Sequence, residues 1–472
     1  MKSHVKHAAL DGKLVMLGFG CIGQAMLPVL VRHIEMGPNR IRIIAADAQG
    51  SELARQFGID LEVRTLTQHN HIAILEPMLA PGDFLLNLSV DVSSLALIAL
   101  CWRRGALYLD TCIEPWGGGY TDVSLSVAQR SNYALREQVL EFGLAKQAGP
   151  TAIVTQGANP GLASMFVKQA LLNMAADAGL RVKKPTSPEA WARLARRLEI
   201  RTIHIAERDT QTSERRKRRD EFVNTWSVVA FVSESLQPSE LGWGTHERRF
   251  PADAARHGYG SDAAIYLDRP GAATRVRSWT PLEGPFHGFL ITHGESISIA
   301  DHLTLRKSGE VVYRPTVHYA YHPCDDAVLS LHELAGKNWQ LQGSRRIMRD
   351  EITAGMDELG VLLMGNPKGV YWYGSRLTID EARRLAPCNT ATTLQVVAGV
   401  LGGIVWAIRN PDRGVLEPDD IDYETVREVA LPYLGEMVAV YAGWTPLCER
   451  SRLFSEDLDM DDPWQFGNFR VT

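Results

Sequence analysis

Gly18-Phe19-Gly20-Cys21-Ile22-Gly23 follows the apolar run Leu14-Val15-Met16-Leu17 and opens a stretch of helical periodicity over residues 22–34. The spacing is GxGxxG in a strand-turn-helix context. The first glycine permits the tight turn, the second lets a pyrophosphate approach the backbone, and the third lets the helix pack close to the strand, while the helix N-terminus favours phosphate charge. Asp47 closes the next apolar run, where a carboxylate accepts hydrogen bonds from adenosine ribose hydroxyls. Ala48 and Gln49 after it supply no cation for a 2′-phosphate, so the pattern predicts NAD rather than NADP.

In residues 14–17, 41–45, 83–88, 106–109 and 151–155 the apolar residues are continuous rather than alternating, which predicts strands buried on both faces. Between them, residues 22–34, 51–57, 92–103 and 133–148 repeat apolar positions every three or four residues, so right-handed helical crossovers can join parallel strands. The class predicted is α/β: a doubly wound Rossmann sheet over 1–157, followed by a second, α+β domain. In that domain, taken as 158–388 and assigned the substrate site and the subunit contact, a helix from Leu162 and a linker over 183–188 precede runs at 200–206, 286–291 and 311–317. These predict a mixed, largely antiparallel sheet with helices on one side. The apolar stretch 389–408 is expected to return to the first domain, leaving 409–472 as a C-terminal extension with an acidic, exposed tail.

Composition narrows the function. The 472 residues carry 50 Lys+Arg against 55 Asp+Glu and are 45% hydrophobic, which excludes wholesale disorder and gives no global reason to bind nucleic acid or an anionic membrane. The apolar stretch 396–408 falls short of the about 18 residues of a membrane span, and no secretory h-region is expected at the N-terminus. The six cysteines include no CxxC pair, which predicts reduced thiols and a cytoplasmic location. The basic run Glu214-Arg215-Arg216-Lys217-Arg218-Arg219-Asp220 is flanked by acids and predicts a solvated loop or helix face rather than a nucleic-acid patch. His318, His322, Cys324, Asp325 and Asp326 resemble a metal set, but on a strand end the pattern predicts no metal and a helix cap from Asp325 or Asp326. Trp372 reads as core.

Ligands of open α/β sheets bind beyond the carboxyl ends of the strands. Residues 87–91, 110–116 and 156–161 lie at such ends. Ser89, Thr111 and Asn159 can hydrogen-bond a dinucleotide's ribose or carboxamide, and Val90, Ala158 and Pro160 adjoin them in the same cofactor set as Gly18, Gly20, Cys21, Ile22, Gly23 and Asp47. Asp91 and Glu114 can reach into the substrate space. Four further segments read as strand ends, at 204–211, 223–227, 231–235 and 292–296, and they gather Glu207, Trp226, Glu234, His293 and Glu295. Carboxylates around an indole face suit an ammonium group, through charge-assisted hydrogen bonds and cation–π attraction. A keto-acid or amino-acid pocket calls for an arginine clamp, and these segments offer no arginine beyond Arg208. The chemistry predicted is that of a diamine or polyamine.

The motifs GFGCIGQ (18–24), LSVDVSS (88–94), DTCIEPW (110–116), QGANPG (156–161), ERDTQ (207–211), FVNTWSV (222–228), ITHGESISI (291–299) and NPKGVYWYGSRL (366–377) together resemble bacterial homospermidine synthase over nearly the whole chain. The resemblance implies condensation of two putrescines to sym-homospermidine and ammonia, with tightly held NAD regenerated in each cycle, in a homodimer. It implies that Trp226 holds the cationic substrate, that Glu207 and Glu234 bind and orient amino groups, that Asn159, His293 and Glu295 line the same pocket, and that Asp91 lies near the cofactor and the reacting amine. Proton transfer falls to Glu207, Glu234 or His293. Two other readings stay open on the residues alone: an NAD(P)H-consuming dehydrogenase of the saccharopine or carboxynorspermidine type, and a nucleotide-bound regulatory protein on the same fold.

Overall fold

Leu14–Leu17 (β1) is buried at every residue, and the chain leaves it through the glycine turn into helix α1, Cys21–His33. This computed structural model describes residues 5–146 and 148–471. Further parallel strands follow at Ile41–Ala45 (β2), Leu61–Val63 (β3) and Phe84–Asn87 (β4). Helix α2, Ser94–Arg104, starts where the Ser93 hydroxyl accepts the Ala96 amide and stops at Gly105, whose φ of 70° is the left-handed cap that glycine adopts freely. Strand β5, Leu107–Asp110, helix α3, Asn132–Lys146, and strand β6, Ala152–Ile153, follow, and the predicted crossover at 51–57 is the short helix Ser51–Gln56.

The order across the sheet is β3-β2-β1-β4-β5-β6, with every pair parallel. The order reverses between β1 and β4, and the glycine turn stands there. The doubly wound sheet is therefore as the apolar runs predict. Strand β3 and the short helix His71–Leu75 add to that reading. A seventh strand, Val415–Leu416, pairs with β6 at the outer edge.

After helix α4, Leu162–Asp177, strand β7, Thr202–Asp209, is buried throughout and forms the middle of an 11-stranded mixed sheet. Helix α5, Val228–Leu236, leads into β8, Pro238–Gly242; helix α6, Gly294–His302, precedes β9, Thr316–His322; helix α7, Asp325–Gly336, precedes β10, Met356–Met364, and β11, Val370–Thr378. β7 runs parallel to β9 and antiparallel to β10. The other pairs on this path are antiparallel, as expected for the second domain. The run 311–317 is two strands, Glu310–Tyr313 and β9, because Pro315 between them has no amide hydrogen for a ladder. The segment 231–235 is no strand end: it lies in α5, whose first turn is capped by Ser227.

Helix α8, Ala391–Arg409, is 19 residues long and apolar enough to cross a membrane by composition alone, but its faces are buried inside the protein. It packs on α1, and a Cβ at Gly399 would collide with the Gly157 carbonyl, so this glycine lets the helix seat against the loop after β6. The residues beyond it form no separate extension. Val415–Leu416 joins the first sheet, Glu436–Ala442 (β12) pairs with β11, and Arg470–Val471 pairs with Arg275–Thr280 of the second sheet. Trp372 is fully buried.

Candidate active site

The carboxyl ends of β1, β2, β4 and β5 open into one cavity of about 510 Å³ that continues to the end of β7. Glycines shape its first end. Gly18 has a φ of 82°, and a Cβ there would lie 2.5 Å from the Leu88 carbonyl oxygen; at Gly23 it would lie 2.6 Å from the Gly18 carbonyl oxygen. At Gly20 a Cβ would meet nothing within 4 Å, so the turn is tight against protein on two sides and open to the cavity on the third. The N-cap residue of α1 is Gly20, which has no side chain to cap the helix, and this leaves its first amides for a phosphate. The residues present thus fit a dinucleotide.

Gly18, Gly20, Cys21, Ile22, Asp47, Ser89, Val90, Thr111, Ala158, Asn159 and Pro160 all line this cavity; Gly23 packs behind the turn. Asp47 accepts the Gln49 amide at 2.8 Å and is otherwise exposed to the space a ribose would occupy. Arg64 also lines that end, paired with Glu62 at 2.8 Å. The residues following Asp47 supply no cation, and the fold brings this one from the end of β3.

The other end is acidic. Alternation along β7 places Glu207 and Asp209 on one face and Arg208 on the other, where Glu283 and Asp325, each at 3.2 Å, pair it away from the cavity. Glu207 accepts hydrogen bonds from Asn159 Nδ2 at 2.9 Å and from the Tyr319 hydroxyl. Burial pushes its carboxyl up to about 7; Asp209 adds to the shift, and the Tyr319 bond, His293 and Asn159 oppose it. Asp209 accepts from Thr225 at 2.6 Å and from the Gln211 amide at 2.8 Å. Asp357 stands opposite it on β10 and accepts from Thr392 at 2.5 Å, while its Oδ1 is buried without a partner. Burial raises the pKa of Asp209 and, with Glu207 and Asp209 as neighbours, raises that of Asp357 strongly.

His293 occupies the N-cap position of α6, and its ring stands between two carboxylates, Glu234 of α5 and Glu295 of α6, each at 3.3 Å. Burial works against its charge, but Glu295 and Glu234 overcome that and push the imidazolium up to about 10. Glu114, buried near Asp91 and Glu234, is held well above the ordinary carboxylate range by desolvation and those two charges. Asp91, at a φ of 63°, lines the cavity across from the glycine turn. Trp226 lines it as well, its Nε1 donating to the Tyr321 hydroxyl at 3.3 Å and its ring tilted against Phe231.

Every residue expected at this end is therefore near the others, with Glu295 behind His293 rather than on the wall. Tyr319, Asp209 and Asp357 were not singled out in the sequence. Their signals are the alternating tyrosines of His318-Tyr319-Ala320-Tyr321-His322 and the acids Asp357 and Glu358 inside an otherwise apolar strand. Among the described residues the only arginine on the cavity wall is Arg64, at the far end.

The rejected signals also find places. Arg215, Arg216 and Lys217 pair with Glu221, Asp326 and Glu333, so that basic run is a loop tied to α7. Asp325 and Asp326 lie in the first turn of α7 and do not cap it; the cap position is Cys324, and Asp326 instead accepts from Arg216 and the Lys217 amide.

A Rossmann turn joined to an acid-lined pocket in a mixed-sheet domain defines a dinucleotide-dependent protein of the saccharopine dehydrogenase-like class. Residues 14–153 match the saccharopine dehydrogenase NADP binding domain, and 157–441 match the saccharopine dehydrogenase C-terminal domain. Within that class the chain belongs to the homospermidine synthase family. It is 52% identical to the homospermidine synthase of Blastochloris viridis, over 98% of both chains, and 48% identical to that of Mesorhizobium japonicum, over 98% of this chain and 97% of the relative. The crystal structure of the Legionella pneumophila homospermidine synthase in complex with NAD superposes with a TM-score of 0.92 at 47% identity, covering 98% of each chain.

Proposed function

We propose that the protein condenses two putrescines to sym-homospermidine and ammonia, with NAD as a bound cofactor restored at the end of each cycle. The observation that carries this reading is the cluster of buried carboxylates, with His293 as its cation, beside a dinucleotide cavity whose reacting end, among the described residues, has no arginine on its wall. Bound NAD supplies the acceptor, and later the donor, of one hydride at the carbon next to a substrate nitrogen.

The chain's own residues do the rest. An alkylammonium holds its proton to about 10, so a base must take it before the carbon can give up hydride. Glu207, raised to about 7 and held by Asn159 and Tyr319, takes that role. Trp226 offers a π-face to the cationic chain, and Glu234 on the cavity wall offers its carboxylate to an ammonium end, while Asp209 and Asp357 lie buried behind Glu207. The His293 imidazolium limits the negative charge that builds up between Glu234 and Glu295, and on this reading Asp91 and Glu114, on the wall of the same cavity, are assigned to the nitrogen that departs as ammonia. Closure against water protects the carbon–nitrogen double bond from hydrolysis until the second diamine adds. The carbon skeleton gains one C–N bond and loses one, so no net electrons leave the site.

An arginine clamp would accompany a carboxylate-bearing substrate, and its absence from this end speaks against a saccharopine-type condensation. We propose further a homodimer of the cytoplasm, with no nucleic-acid or membrane partner; six cysteines standing free are in keeping with a reducing compartment. Incubation with putrescine and a catalytic amount of NAD⁺ tests the reaction. One ammonia per homospermidine with no accumulating NADH is expected; NADH that builds up or is consumed in stoichiometric amounts would assign a dehydrogenase instead.

A further inference from the structure

The first amides of a helix find no acceptor inside it. In α3, two of them donate to Glu240 of β8, a residue of the other domain: Asn132 N lies 2.8 Å from Oε2 and Tyr133 N 3.1 Å from Oε1. The positive end of the helix dipole favours a carboxylate there. Thr292 Oγ1 donates to the same Oε2 at 2.8 Å, and Asn132 Nδ2 donates to that hydroxyl at 3.2 Å. Glu240 and Thr292 are both fully buried, and the neighbouring His257, kept neutral by burial, adds no charge.

Three pieces of the candidate site end at this carboxylate. Thr292 immediately precedes His293. The loop carrying Glu114 runs into Asn132. Helix α5, which carries Glu234, leads directly into β8. The contact of His293 with Glu234 is thus anchored on both sides by one residue that touches neither the cavity nor the substrate space.

We infer that Glu240 and Thr292 are a positioning pair that sets His293 against Glu234 and ties the Glu114 loop of the cofactor domain to the second domain. A misplacement of about 1 Å at reacting groups is enough to cost a hundredfold in rate, so this bridge matters to turnover as well as to folding. The inference rests on the proposed reaction only for its activity readout.

Thr292→Val removes the hydroxyl at constant shape, Thr292→Ser keeps it, and Glu240→Gln keeps shape but gives up one of the two acceptor oxygens of the bridge. Thr292→Val is expected to lower kcat on the order of tenfold with bound NAD unchanged, and Thr292→Ser to recover most of the loss. The His293 imidazole, followed by NMR, is expected to titrate below its wild-type position in Thr292→Val. Amide exchange at Asn132 and Tyr133 is expected to speed up in Glu240→Gln. Wild-type kcat and titration in Thr292→Val, or a serine variant as impaired as the valine one, would overturn the pairing. If Glu240→Gln does not fold, the two Thr292 variants decide. If the wild type makes no homospermidine, the proposed reaction fails, while the imidazole titration and the exchange rates still judge the bridge.

Discussion

The two ends of the cavity are built by different means. At the dinucleotide end the working surface is backbone: a left-handed glycine, an open Cβ position at Gly20, uncapped amides of α1 and the strand ends after β4 and β5. At the amine end it is side chains, supplied by the loop after β6, β7, the segment before α5, α5 itself, the cap of α6, β9 and β10. A phosphate needs only amides and room, so a short continuous motif can make its site. An ammonium in a desolvated pocket needs several carboxylates converging from different directions, and only a sheet that brings distant strands into register can supply them.

The sharpest way to separate the ends is to disable one and watch the other. Glu207→Gln keeps the shape and the Asn159 contact but removes the base. A general base contributes typically 10²–10⁴-fold, so a loss of about that size in kcat is expected, with NAD still bound on purification. The wild-type kcat/KM should rise through a pH of about 7, as Glu207 loses its proton, and that limb should vanish in the variant. Loss of NAD together with the rate would mean that the two ends are one structural unit.

Titration of the amine end also enters stability. A free histidine titrates near 6.5, and in the fold Glu295 and Glu234, against burial, raise His293 to about 10. Between those values the native chain holds a proton that the unfolded chain has released. The stabilisation from the imidazolium is therefore complete below about 6.5 and is lost as pH rises through about 10. The melting temperature of the wild type should fall more steeply between pH 7 and pH 10 than that of His293→Gln, measured at saturating NAD. Parallel curves would remove His293 as a charged member of the cluster.

This contrast also explains what the sequence discloses. The turn at Gly18 and its partner Asp47 are legible because the phosphate site is local and each glycine has a separate steric reason. The apolar run of β1 is legible because burial on both faces leaves no polar gap, and β2 and β4 stay legible because each carries a single polar residue, Arg42 and Asn87. Strand β3, three residues of Leu-Glu-Val and only partly covered, carries too little pattern. Phe231-Val232-Ser233-Glu234-Ser235 reads as strand from its β-branched and aromatic content, yet the Ser227 cap and packing of Phe231 into the core fix it as helix α5. Glu207, Glu234 and Trp226 stand out by residue type, whereas Tyr319 and Asp357 acquire meaning only when β9 and β10 flank β7. Arg64 is of the same kind: nothing after Asp47 announces it.

Trp226→Ala is a smaller cut at the amine end. Cation–π holding is worth ~0.5–2 kcal/mol or more once desolvated, equal to about twofold to thirtyfold in binding. The putrescine KM is expected to rise by that much with NAD content unchanged, and Trp226→Phe should lie between. An unchanged KM would leave the indole as a wall packed on Phe231 and nothing more.

The smallest effect belongs to the dinucleotide end and concerns its choice of cofactor. Asp47 lines this end with an exposed carboxylate, which on the proposed reading accepts from ribose hydroxyls and repels a 2′-phosphate; Arg64 lines the same end but is occupied by Glu62 at 2.8 Å. The pair is exposed, and an exposed ion pair is worth little, with a typical value of about 0–1 kcal/mol, so Arg64 can turn to a phosphate once the repulsion is gone. Asp47→Ser should therefore weaken NAD modestly and raise the NADP-to-NAD preference by a few-fold to about tenfold, measured by putrescine turnover at matched cofactor levels. Adding Arg64→Ala should return the ratio towards that of the wild type. A ratio that Asp47→Ser leaves unmoved would place the discrimination elsewhere on the cavity wall, and would separate the ribose position from the acid that closes β2.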